Sequence, residues 1–146
     1  MNVLVWIAEG TWSAATDAAA RYTPPGASLT LLHVVDPALA AEVAGAWTGL
    51  LGRGHRDTAP AVDAMAAAAE QDLLAAAAER LARPAAVASR RGPAEREVVT
   101  ACTELGAELL IVARDGERNH LGPRSLGRQT RFVVDHAPCQ VLLVWP

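Results

Sequence analysis

The sequence predicts an α/β fold, an open parallel sheet carrying helices on both faces. Three observations lead there. Short apolar runs recur along the chain without polar alternation, as in strands buried on both faces. Helix-forming stretches separate them, and such alternation of strand and helix is the pattern of a parallel sheet with crossover helices. Glycine or proline marks most of the junctions.

Each element follows in order. Val3 to Ile7 is a continuous apolar run ended by Gly10, the first strand. Thr11 and Ser13 offer N-caps for a helix through about Tyr22, stopped by Pro24-Pro25-Gly26. Ser28 to Val35 (SLTLLHVV) is a second β-rich run, closed by Asp36-Pro37. Residues 38–60, with Trp47, four glycines and Pro60, read as a short helix followed by a mobile loop. Val62 to Arg83 is alanine-rich with high helix propensity, and Pro84 ends it. Ala85 to Ser89 is a weaker strand. A helix then starts at Gly92-Pro93, with Glu95 and Glu97 near the positive end of its dipole, and stops at Gly106. Glu108 to Ala113 is the fourth strand, and a polar loop runs from Arg114 to about Ser125. A helix continues to His136, Pro138 breaks it, and Gln140 to Trp145 is the fifth strand.

At 146 residues and 15.3 kDa the chain suits one domain spanning residues 1–146. A chain this long buries about 68–70% of its unfolded surface, so no disulfide or metal staple is required. All 13 basic residues are arginine. The absence of lysine removes a P-loop, Schiff-base chemistry and the protein-kinase core; a bland cause, genomic base composition, accounts for most of it. A net charge of −3 and 4% aromatic content argue against nucleic acid and anionic membranes as partners. Cys102 and Cys139 form no CxxC, and the four histidines show no zinc spacing. The opening MNVLVWIAEG lacks a basic n-region and is too short for a signal segment, so a cytoplasmic setting is expected.

In open parallel sheets, ligands bind outside the carboxyl ends of strands, where strand order reverses. The loops with suitable chemistry follow strand 1 (Ala8 to Trp12) and strand 4 (Arg114 to Arg128). From Ala113 to Thr130 the second loop holds three glycines and four arginines and leads into a helix. Such a segment can cradle an anion on backbone N–H groups, or can equally be a surface loop whose glycines make turns. Arg114, Arg118 and Arg124 are phosphate candidates there, with a solvated loop face as the competing role. Arg90-Arg91 reads as a solvated edge.

The whole chain resembles a universal stress protein domain. The resemblance rests on Glu9-Gly10-Thr11 after the opening strand, Leu31-Leu32-His33-Val34, and Gly92-Pro93-Ala94-Glu95. It continues through Leu105 to Val112 (LGAELLIV) and the closing His136 to Val144 (HAPCQVLLV), the most specific stretch. It implies a five-stranded, Rossmann-like sheet of order 3-2-1-4-5, a dimer, and ATP or AMP held by a Gly-x2-Gly-x9-Gly-[Ser/Thr] loop, with Mg²⁺ if ATP. Carried over position by position, Val34 and Val112 would flank adenine. Ala113 and Gly116 would face ribose and phosphate, and Gly127, Arg128, Gln129 and Thr130 would take the phosphates. The family's strand-1 Asp falls on Glu9. The loop departs from the pattern: Ala113 replaces the first glycine, ten residues separate Gly116 from Gly127, and Arg128 replaces the hydroxyl residue.

Other residues carry bland readings. His33, among apolar neighbours, is a satisfied core residue rather than a ligand. Cys102 is a small core residue. His136 and Cys139 do not make a metal pair, since Pro138 explains the local sequence. Val141 to Trp145 is apolar, and an edge strand there would need a cover, which the same strand of a second copy could supply. Three functions compete. The first is an adenine-nucleotide-binding regulator without efficient catalysis, at most a slow ATPase. The second is a dimer acting through protein contacts or another small ligand. The third is an enzyme of the related nucleotide hydrolase or nucleotidyl-transferase class, for which no HIGH, KMSKS or SGGxDS signature is present.

Overall fold

The computed structural model describes residues 1–37, 59–114 and 126–146, with the side chains of 59–63 outside that description. Five strands, β1 (Asn2–Trp6), β2 (Ser28–Val35), β3 (Ala86–Arg91), β4 (Leu109–Ala113) and β5 (Gln140–Val144), form one sheet. The helices are α1 (Trp12–Tyr22), α2 (Ala59–Leu81), α3 (Ala94–Glu104) and α4 (Arg128–His136). The sheet is parallel throughout, in the order β3-β2-β1-β4-β5. The chain therefore steps outward from β1 to β3, then returns to lay β4 on the other side of β1. The reversal lies between β1 and β4, at the carboxyl edge of the sheet.

Strand β1 shows why continuous apolar runs make central strands. Its alternate residues feed two separate cores. Val3 and Val5, with Ile7 just beyond the strand, pack with Leu29, Leu31 and Ile111 beneath α1 and α2. Leu4 and Trp6 pack with Leu32, Val34, Leu110 and Val112 beneath α3 and α4. The buried face of α1 is small (Ala15, Ala18, Ala19), which lets the helix approach the sheet closely. Leu74, Ala77 and Leu81 recur at helical spacing on α2 and supply its buried stripe.

Polar ties hold the helices in register. Arg80 makes a two-pronged bond to Asp17, both arms at 2.7 Å, joining α2 to α1. That guanidinium holds the Asp17 carboxyl below its usual value. At the amino ends of β1 and β4 the Asn2 backbone N–H donates to Glu108 at 2.8 Å and the terminal ammonium lies 3.5 Å away, lowering the Glu108 carboxyl. Past α2, Ala82 takes a left-handed φ of +53°, and its N–H donates to the Glu79 carbonyl at 3.2 Å.

Several expectations are refined. Strand β3 runs two residues further than expected, because Arg90 and Arg91 pair in register with Val34 and Val35. Arg90 is not a solvated edge: it bonds Glu104 and lies 3.7 Å from Glu97. Thr11 is the N-cap of α1 by position but makes no capping bond, its hydroxyl instead donating to the Ala8 carbonyl at 3.4 Å. The alanine-rich helix begins at Ala59. The short helix and loop expected within 38–60 fall largely outside the described residues.

Candidate functional site

The carboxyl edge at the reversal is built first by the β1–α1 connection. The Ile7 N–H donates to the Leu32 carbonyl at 2.8 Å, extending the ladder one residue past β1. The chain then turns through Gly10, whose φ is +77° and whose Cβ position faces open space. A left-handed backbone suits glycine there, and it leaves room beside Glu9. Glu9 itself is exposed. An open hollow of about 400 Å³ lies beside it, lined by Glu9, Gly10, Trp12, Ala69, Asp72 and Leu73. A smaller hollow of about 130 Å³, with Asn2, Thr30 and Leu105 in its wall, opens at the amino edge, the wrong end for a crevice of this kind.

His33 is satisfied as expected. Its Nδ1 lies 2.8 Å from the Ile7 carbonyl. A carbonyl only accepts, so Nδ1 carries a proton in this contact. The contact pins β2 to the end of β1, directly below the turn at Gly10. His136 is similarly engaged, with Nδ1 2.8 Å from the Phe132 carbonyl and its ring stacked on Phe132 at 4.0 Å.

The remaining expected positions divide between the two faces. Ala113 ends β4 on the α1/α2 face, the face of the hollow beside Glu9. Val34 and Val112 lie on the α3/α4 face and are 8% and 1% exposed. Gly127 is the N-cap of α4 and makes no side-chain capping bond. Arg128 is exposed and Gln129 half-buried, whereas Thr130 is 2% exposed and turned into the core. Gly116, Arg118 and Arg124 lie outside the described residues. Arg114 is directed to the sheet's edge, its guanidinium 3.7 Å above the Trp145 ring and its N–H donating to Val144 at 2.8 Å.

Trp6 was not singled out by sequence reasoning. It pairs in register with Leu32 and stands one step past the Val5–Ile111 pair, which sets it beside Val112. Its indole thus occupies the face shared by Val34 and Val112. The signal was present in the parity of β1, since Leu4 and Trp6 must face the same way. Trp12 and Asp72 were missed for a different reason: only the packing of α1 against α2 brings them to Glu9.

Comparison with known proteins follows this geometry. Among solved structures, a universal stress protein UspA from Lactobacillus plantarum is similar at 24% identity and TM-score 0.57, covering 99% of this chain and 97% of that one. A universal stress protein in complex with cAMP is similar at 18% identity and TM-score 0.63, covering 99% and 96%. A family protein from Arabidopsis thaliana with AMP bound is similar at 14% identity and TM-score 0.65, covering 99% and 91%. These likenesses establish the fold. Among curated proteins none matches the chain. The sequence model of the universal stress protein family matches residues 1–144, nearly the full chain. With nearly the whole chain matched by that model, this chain belongs to the universal stress protein family.

Proposed function

We propose that this protein binds an adenine nucleotide, AMP or ATP with Mg²⁺, at the strand-order reversal and acts as a regulator in stress response without efficient catalysis. The observation that carries this reading is topological. The reversal between β1 and β4 leaves the Glu9-Gly10 turn at the carboxyl edge, where open sheets of this order take ligands. Similar folds have been solved with cAMP and with AMP.

In this reading the chain's own groups do the following work. Gly127, the N-cap of α4, carries no side chain of its own over the helix start, so the N–H groups of Arg128, Gln129 and Thr130 serve the phosphates, aided by the helix dipole. Because Thr130 points into the core, it contributes its backbone N–H rather than its hydroxyl. Arg128, being exposed, swings onto the outer phosphate as a charge-assisted clamp. The Glu9 carboxylate accepts from the ribose hydroxyls, or takes a share of Mg²⁺ when ATP is bound. Ala113 and Gly116 face the ribose and phosphate, with adenine against Val34 and Val112.

The protein acts in the cytoplasm as a homodimer through Val141 to Trp145. In support, β5 is an edge strand whose Val141 to Val144 stay only half-buried in the single chain, and edges of that kind need a cover. No helix among the described residues is long and apolar enough to cross a membrane.

One observation favours a second reading, a dimer that acts through protein contacts without nucleotide. Trp6 fills the face where Val34 and Val112 would receive adenine. Calorimetry decides between them. The first reading expects saturable heat with AMP or ATP, weakened in Arg128→Ser. Absence of heat at millimolar nucleotide with folded protein refutes it and leaves the second.

A further inference from the structure

Trp6 is the largest side chain in the core beneath α3 and α4, and it stands at the carboxyl end of β1, beside the reversal. Parallel register sets it across from Leu32 on β2 and, one step past the Val5–Ile111 pair, across from Val112 on β4. Val34 lies on the same face of β2 as Leu32. Trp6, Val34 and Val112 pack in one cluster and are 7%, 8% and 1% exposed. Other members of that cluster at this end are small, Ala8 after β1 and Ala94 at the start of α3. One large ring thus fills the room that small neighbours leave, at the edge of the sheet where ligands of open sheets bind. Indole and purine are both planar fused bicycles of closely similar size, so the ring has the dimensions of a base.

We propose that Trp6 is the specificity-determining residue of the nucleotide site: its indole occupies the apolar face that a base would take, so the chain recognises ribose and phosphate and draws little affinity from adenine. This role rests on the site proposed above and narrows its ligand class to sugar phosphates, with or without a base. A base must displace the indole from Val34 and Val112 before its own ring can lie there. What the base gains in burial the indole then loses, and two rings of similar area make that exchange nearly even. Ribose and phosphate need no such exchange, because Glu9, Gly127 and Arg128 lie outside the cluster that Trp6 fills.

The test is calorimetry of the full chain with AMP and with ribose 5-phosphate, ligands that differ in the base, repeated in Trp6→Val and Trp6→Leu. Either change opens the face while keeping an apolar residue in the strand, and Trp6→Leu keeps more of the volume. Circular dichroism and urea unfolding establish that each variant is folded. In the parent the two dissociation constants should agree within about threefold. In the variants AMP should bind about tenfold tighter than ribose 5-phosphate, whose own affinity should not move. A general loosening of the fold would weaken both ligands together, so the ratio separates recognition from packing. AMP bound by the parent more than about threefold tighter than ribose 5-phosphate would overturn the proposal, as would folded variants in which the base adds nothing. Heat from both ligands in the parent with no gain in the variants leaves the phosphate site standing and removes the role of Trp6. AMP heat confined to the variants supports that role and refutes nucleotide binding by the parent. Silence of both ligands in every folded protein refutes both. Where neither variant folds, the parent's ratio decides.

Discussion

Replacing Ala82 by glycine should stabilise the protein. Ala82 follows α2 with φ at +53°, a left-handed conformation in which an L side chain crowds its own backbone. That conformation costs a non-glycine residue roughly 1–2 kcal/mol. Glycine removes the strain but adds freedom to the unfolded chain, a loss of about 0.4–1 kcal/mol. Ala82 is exposed, so its methyl takes no packing with it, and the N–H donation to Glu79 is a backbone bond that survives. The balance favours the variant by about 0.5–1 kcal/mol. For a chain of this size that corresponds to a rise in Tm of about 2–4 °C. Thermal and urea unfolding followed by circular dichroism measures it, with the urea midpoint rising at unchanged slope. Ala82→Val, β-branched at positive φ, should move the midpoint the other way. A glycine variant no more stable than the parent would show that the helix end bears no such strain.

Two further outcomes follow from the contacts described. Gly92→Ala should destabilise by about 1–3 kcal/mol: a Cβ there would meet the Glu97 carboxylate oxygen at 2.9 Å with φ at +147°, and moving Glu97 also disturbs its approach to Arg90. Urea unfolding reports the loss, and Glu97→Ala in the same chain should relieve the steric part of it. Stability should also fall on acidification. The folded carboxyls of Asp17 and Glu108 lie below their ordinary 3.8 and 4.5, so their stabilisation is complete above those values and is lost as pH falls through the lowered ones. Unfolding free energy measured across that range should show a shallower slope in Asp17→Asn.

The sheet was legible because each strand is a short apolar run of its own, and β1 carries the clearest of them. Strand order was legible only through resemblance, since residue pattern predicts alternation but not which strands become neighbours. What escaped was set by contacts between distant parts of the chain. Arg90-Arg91 looks like a charged end of a strand, and only the fold brings Glu97 and Glu104 to Arg90. Thr11 is a sound N-cap by type, yet its hydroxyl bonds backward to Ala8. At the candidate site, the turn after strand 1 was readable from the strand–helix pattern, while Glu9 was reached only through the resemblance. The crowding of Val34 and Val112 by Trp6 was not readable, because it depends on the register of three strands.

The splitting of the interior by β1 has a thermodynamic meaning. The core under α1 and α2 and the core under α3 and α4 have no buried side chain in common among the described residues. Substitutions in different cores should therefore act nearly additively, while those within one core should couple. The hollow beside Trp12 borders one core, whereas Val34 and Val112 belong to the other. The molecule can thus be retuned beneath α1 and α2 without disturbing the side chains beneath α3 and α4, and the reverse holds equally.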